Sequence, residues 1–231
     1  MGSFIVEKFR EPPVPASQQG CGHDVTFAEF IKFFIFSETT GTHQDVHYVP
    51  VYQLCDVCRQ HFDFIGKLET FSEDVQYIYS SVNESTDVGI SSDLKKIYSR
   101  GLYFGNKFRK QNYSECMRLC DGYKQVWWGF QSMGFVPRSS VFPFSADHCE
   151  NLTDISARKL NREFYEKVKG VYLSSKGKFE KQKQKDEFLR DMYKQVTLKD
   201  RLALQKVLIK DSELFGYPSF PEEVFPEYKK T

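Results

Sequence analysis

The stretch HFDFIGKLETFSED at 61–74 runs an apolar segment directly into a helix start, with no loop between them. Phe62, Phe64 and Ile65 give 61–69 the aromatic and β-branched content of a strand. Thr70 and Glu73 then stand at T-x-x-E spacing, a capping box ahead of the helical run DVQYIYSSV. A strand feeding a capped helix without a break is the βα unit of an α/β fold. Ligands of open α/β sheets sit beyond the carboxyl ends of the strands, which places Glu69 beside a site. Its plainer role is a surface carboxylate at a helix N-terminus, where negative charge is favourable.

Helical patterns dominate elsewhere. Thr26 and Glu29 form a second capping box, Val25 and Phe30 a hydrophobic staple, and Phe27, Phe30, Ile31 and Phe34 an apolar face. This helix is expected to end before the polar loop at 37–45. Leu160, Phe164 and Val168 repeat at i, i+4 within 154–172. The lysine-rich run at 176–195 is interleaved with Glu180, Asp186, Glu187 and Asp191, as on a solvated helix face. A last helix begins at Thr197, turns Leu198, Leu202 and Ile209 inward, and breaks near Gly216. Trp127 and Trp128 read as core packing rather than a stacking platform. The 231 residues suit a single domain, 1–231, with 80–195 the least legible part.

Lys and Arg number 32 against 31 Asp and Glu, so there is no global basic field of the kind that captures nucleic acid. The most apolar stretch, FIKFFIF at 30–36, is short and carries Lys32, so membrane attachment would need an anchor absent from this sequence. Three of the five Asn residues, Asn83, Asn112 and Asn151, head N-x-S/T sequons. There are six cysteines: Cys21, Cys55, Cys58, Cys116, Cys120 and Cys149. Sequons and an even cysteine count together point to a lumenal compartment. The pairing stays open.

Cys55, Cys58 and His61 offer three zinc ligands at C-x2-C-x2-H spacing, but no second cluster completes a finger, so no metal is expected. A redox C-x-x-C belongs at a helix N-terminus, whereas this pair precedes a strand-like run. The two cysteines therefore read as structural. No phosphate-binding P-loop, nucleophile elbow or H-E-x-x-H is present. His47, just upstream, either contacts a ligand or fixes the loop before the cysteines, and the second role needs fewer assumptions.

The stretch H-Y-V-P…L-C-D-V-C…F-D-F-I-G-K-L-E-T-F-S-E-D resembles the signature region of the Golgi carbohydrate sulfotransferases, which include the chondroitin/dermatan 4-O-sulfotransferases and the HNK-1 sulfotransferase. VTFAEFIKFF at 25–34 is similar to the family's upstream helix, and KDSELFGYP at 210–218 to its ending. Tyr48 stands where the family has Trp, and Val57 where it has Pro between the cysteines. The resemblance implies an α/β sulfotransferase (P-loop-like) fold, incomplete on its N-terminal side and helix-rich in its C-terminal half, with 80–195 a divergent or extended insert. It implies transfer of a sulfuryl group from 3′-phosphoadenosine 5′-phosphosulfate (PAPS) to a carbohydrate hydroxyl, in the Golgi lumen, by a type II membrane protein family. The partner is then a sulfate-accepting glycan. MGSFIVEKF can be laid on the end of the family's 3′-phosphate element, which puts Ser3 on its phosphate-binding serine. The phosphosulfate loop has no counterpart in the sequence. A non-catalytic lumenal glycan- or partner-binding relative is the alternative.

Overall fold

The computed structural model describes residues 1–13, 22–82, 93–100, 117–145, 149 and 154–228. Its elements are α1 (Gly2–Phe9), α2 (Phe27–Thr40), α3 (Val51–Leu54), α4 (Phe71–Ser81), α5 (93–100), α6 (Leu119–Ser132), α7 (Asp154–Ser175), α8 (Lys181–Lys194) and α9 (Leu198–Phe215), followed by a 3₁₀ turn at Pro226–Tyr228. No β-strand occurs among the described residues.

One core lies between α5, α6 and α7. Leu160, Phe164, Val168 and Tyr172 recur every fourth residue and are all buried, so α7 presents the stripe that its spacing predicts. Phe164 has no exposure, and the rings of Tyr123, Phe130, Phe142 and Phe144 surround it at 4.7–6.3 Å. Trp127 is buried in the same cluster, but Trp128 is 48% exposed and meets only Phe188 edge-on at 5.6 Å. A disulfide joins Cys120 near the start of α6 to Cys149 ahead of α7. The Gln184 amide ties α8 to this unit: it donates to Gln131 O and Val136 O and accepts from Arg138 N–H.

The second core packs Ile31 and Phe34 of α2 against Val196 and Leu204. Thr26 and Glu29 close the capping box as the sequence predicts. The helix continues past residue 36 to Thr40 and ends on Gly41 at φ 67°, a left-handed cap that glycine adopts without strain. Phe4 and Phe9 of α1 lean on Phe33 and Phe36 of α2. The last helix starts on a Thr197 cap and stops on Gly216 at φ 66°, matching both predicted ends. Its inward face differs. Arg201 and Leu204 are buried, Leu202 and Ile209 are half-buried, and Leu198 is exposed.

The α/β expectation at 61–82 is only half met. Helix α4 forms, but 61–69 pairs with no strand and is exposed throughout. A strand is stable only against a neighbour that takes its N–H and C=O groups, and none is present among the described residues. Nor does Thr70 cap α4 by the expected box. Instead the Asp74 carboxylate accepts from Lys67 N–H at 2.8 Å and from the Thr70 hydroxyl at 2.7 Å, closing the turn into α4. Those two bonds hold the Asp74 carboxyl below the usual range. The helix-rich C-terminal half stands as expected.

Candidate functional site

Helix α9 gathers the three segments that share the sequence resemblance. It packs along α2, and its Asp211 reaches across 160 residues of chain to α3. The Asp211 carboxylate accepts from Val51 N–H at 2.9 Å and Tyr52 N–H at 2.8 Å, capping a helix whose own preceding residue, Pro50, has no side chain able to do so. Lys210 Nζ lies over the Tyr52 ring, 4.9 Å from its centroid. Beyond Gly216 the Tyr217 hydroxyl donates to Glu69 Oε2 at 2.9 Å, and Lys67 lies over the Tyr217 ring at 5.0 Å.

Glu69 is exposed. Its own backbone N–H and the Tyr217 hydroxyl hold its carboxyl below the usual range, and the same bond pushes the Tyr217 phenol up. A carboxylate so stabilised stays ionised and is a weaker proton acceptor. His47 lies in the turn before α3. Its Nδ1 stands 2.5 Å from Asp45 Oδ1, and its backbone N–H donates to the same oxygen at 2.9 Å. An ionised carboxylate only accepts, so Nδ1 is the donor in this pair, and Nε2 points away from it on a side chain that is 84% exposed. The backbone and ring bonds from His47 hold Asp45 low. No hydrogen bond or ion pair links His47 to Glu69 among the described residues.

Tyr48, which stands in place of the family's Trp, buries its ring edge-on against Phe30, Phe33 and Phe34 and donates to His43 O at 2.8 Å. It joins the signature turn to α2 by this packing.

Cys55 and Cys58 are free and exposed, so the pair braces no core and the segment after it is not the buried unit expected. No group of three or more His, Cys, Asp or Glu side chains converges to hold a metal among the described residues, so His61 does not join the cysteines in one site. Ser3 is exposed on α1. The nearby cations are engaged within the chain: Lys8 lies 3.5 Å above the Phe36 ring, and Arg10 binds Asp24 and Glu29, each at 2.7 Å. Asn83, Asn112 and Asn151 fall outside the described residues.

A groove of about 430 Å³ runs beside these contacts, between α9 and the 217–225 segment. Its walls are mainly apolar, with Leu204, Leu208, Phe215 and Phe225 among them, and Asp211 and Tyr217 bring it to the edge of the convergence. At its floor Arg201 forks onto Glu227, with Nη1 at 2.9 Å and Nη2 at 2.5 Å, and also donates to Val224 O. That fork holds the tail against α9 and keeps the Glu227 carboxyl low.

Asp211, Tyr217 and Asp45 carry this geometry and drew no individual assignment from sequence. The first two lie in the recognisable 210–218 segment, but pairing across 160 and 148 residues has no signal in a single chain.

Carbohydrate sulfotransferase 14 of Mus musculus is 34% identical over 77 residues, 33% of this chain and 19% of that protein. Carbohydrate sulfotransferase 11 of Danio rerio is 31% identical over 93 residues, 37% of this chain and 26% of that protein. Carbohydrate sulfotransferase 9 of Homo sapiens is 33% identical over 81 residues, covering 35% and 18%. The chain thus spans about a quarter or less of the length of these relatives. No solved structure matches it. The family model described as "Sulfotransferase family" matches residues 1–125, more than half of the 231, and the chain therefore belongs to the sulfotransferase family.

Proposed function

We propose that this chain serves sulfuryl transfer from PAPS to a carbohydrate hydroxyl and supplies residues of the acceptor side. The convergence of 25–34, 47–73 and 210–218 on α9 carries this reading, because the segments shared with carbohydrate sulfotransferases are held by one another. Transfer needs a base for the acceptor hydroxyl. His47, oriented by Asp45 with Nε2 open, fits that role better than Glu69, whose carboxyl is held low. Glu69 instead receives a hydrogen bond from the acceptor and positions it. The wider proposal is an α/β sulfotransferase fold in which 61–69 becomes a strand once a neighbour is present, with 80–195 an insert in one domain. Golgi residence and use of the three sequons belong to the same reading.

Lys8 and Arg10, the cations nearest Ser3, already have partners within the chain, so a 3′-phosphate on Ser3 would need further donors. That observation favours a second reading, a non-catalytic relative that binds glycan or a protein partner. Calorimetry with 3′-phosphoadenosine 5′-phosphate and with desulfated chondroitin or dermatan separates the two. Nucleotide binding with sulfate transfer supports the enzyme, and glycan heat without nucleotide heat supports the binding protein. Silence toward both ligands overturns the glycan readings. In an active enzyme, His47→Gln should lower kcat about 10²–10⁴-fold, as loss of a general base does. Glu69→Gln should mainly raise KM, and the reverse split would exchange the two roles.

A further inference from the structure

Cys55 and Cys58 are unbridged and open to solvent, in contrast to Cys120, which is buried in its disulfide with Cys149. They stand three residues apart within consecutive turns over 55–59, directly after α3. The turn is tied at both ends. Cys55 N–H bonds to Val51 O at 2.9 Å, while Arg59 and Gln60 N–H both bond to Asp56 O. Asp56, between the thiols, adopts a left-handed backbone at φ 48° and pairs with Arg59 at 2.8 Å. Neither thiol belongs to a metal cluster among the described residues.

We propose that Cys55 and Cys58 form a thiol–disulfide exchange site for small disulfides of the glutathione class. The thiolate of one cysteine attacks glutathione disulfide, forms a mixed disulfide and expels one glutathione thiolate. The second cysteine's thiolate attacks the protein sulfur of that adduct, closes the Cys55–Cys58 bond and expels the second glutathione. Two protein thiols are oxidised, one glutathione disulfide is reduced, and the two protons end on the two glutathione thiols. Tethering at this spacing gives the second thiol an effective concentration of roughly millimolar or more. Closure therefore outruns capture of a second glutathione disulfide. Exposure makes this bond more labile than Cys120–Cys149, where Cys120 is buried and Cys149 packs against the core. Closing it draws in the turn between α3, which Asp211 anchors, and the segment that carries Lys67 and Glu69.

The inference rests on thiol placement alone, so its test is independent of sulfuryl transfer. The full chain is equilibrated in mixed reduced and oxidised glutathione, quenched in acid, alkylated and digested with trypsin. Residues 33–59 form one tryptic peptide with both thiols and no other cysteine. The expected result is loss of both alkylation sites from that peptide, with a mass two hydrogens below the free dithiol. Mild reductant should restore both sites while Cys120–Cys149 stays closed. Cys55→Ser and Cys58→Ser should each accumulate one stable glutathione adduct in place of the closed form. Both positions are exposed, so serine opens no cavity, and the wild-type map reads the site whatever the variants do. Two alkylated thiols at every buffer ratio, two separate adducts on one peptide, or chelator-sensitive protection by zinc would each overturn the proposal.

Discussion

Asp211 illustrates how a single carboxylate sets local structure at a distance. Removing it leaves Val51 and Tyr52 N–H groups without a protein acceptor at the start of a one-turn helix. Asp211→Ala should cost about 1 kcal/mol, the usual worth of an N-cap, measured as a shift in urea midpoint at unchanged m-value. Asp211→Asn keeps one acceptor oxygen and should recover part of it. Arg10 gives a pH signature at the same scale. It donates to Glu29 and Asp24, and its hydrogen bonds hold both carboxyls below their usual range. A carboxyl depressed in the folded chain takes its proton more readily once unfolded. The stabilisation is therefore complete above the unfolded value of roughly 4 and is lost as pH falls through the folded values. Glu29→Gln should flatten the fall in melting temperature below about pH 4, and an unchanged slope would remove Glu29 from acid unfolding.

Among the elements, α7 depends on one ring. Phe164 is fully buried at the centre of its aromatic cluster, so Phe164→Ala should cost about 3–5 kcal/mol and strip cooperativity from the α5–α7 unit. Opening Cys120–Cys149, which closes a separation of 29 residues, should cost the same unit about 3–4 kcal/mol by chain entropy. Elements governed by near neighbours were legible in the sequence. The Thr26–Glu29 box, the fourfold repeat in α7 and the Thr197 and Gly216 ends of α9 all depend on residues within a turn or two. Elements that depend on distant partners were not. The run 61–69 has a strand's composition but no neighbour to pair with among the described residues, and Thr70 lost its box to Asp74. Leu198 faces water because Arg201, forked onto Glu227, takes the inward place beside Leu204. The candidate site was legible as a signature, while its cap and its Tyr217–Glu69 bond join segments too far apart for spacing to reveal.

For the whole molecule, the decisive surface is 61–82. Phe62, Phe64, Ile65, Leu68, Phe71 and Ile78 are all exposed there, and Leu68 keeps 86% of its surface in water. Exposed apolar residues concentrated in one segment mark an association surface. Sedimentation velocity should show self-association that rises with concentration, and Ile65→Lys with Leu68→Lys should shift the chain toward monomer. A wild-type chain that stays monomeric at all concentrations would show that this face needs no cover. The long reach of Asp211 also orders events during synthesis. Val51 leaves the ribosome 160 residues before its cap is made. At about 5–20 residues per second, the turn holding Cys55 and Cys58 waits on the order of ten seconds or more without its anchor. Cys120 and Cys149 emerge within that interval. In an oxidising compartment the nascent chain thus exposes Cys55 and Cys58 beside Cys120 and Cys149 before α9 exists, and a pause ahead of Asp211 would lengthen that interval.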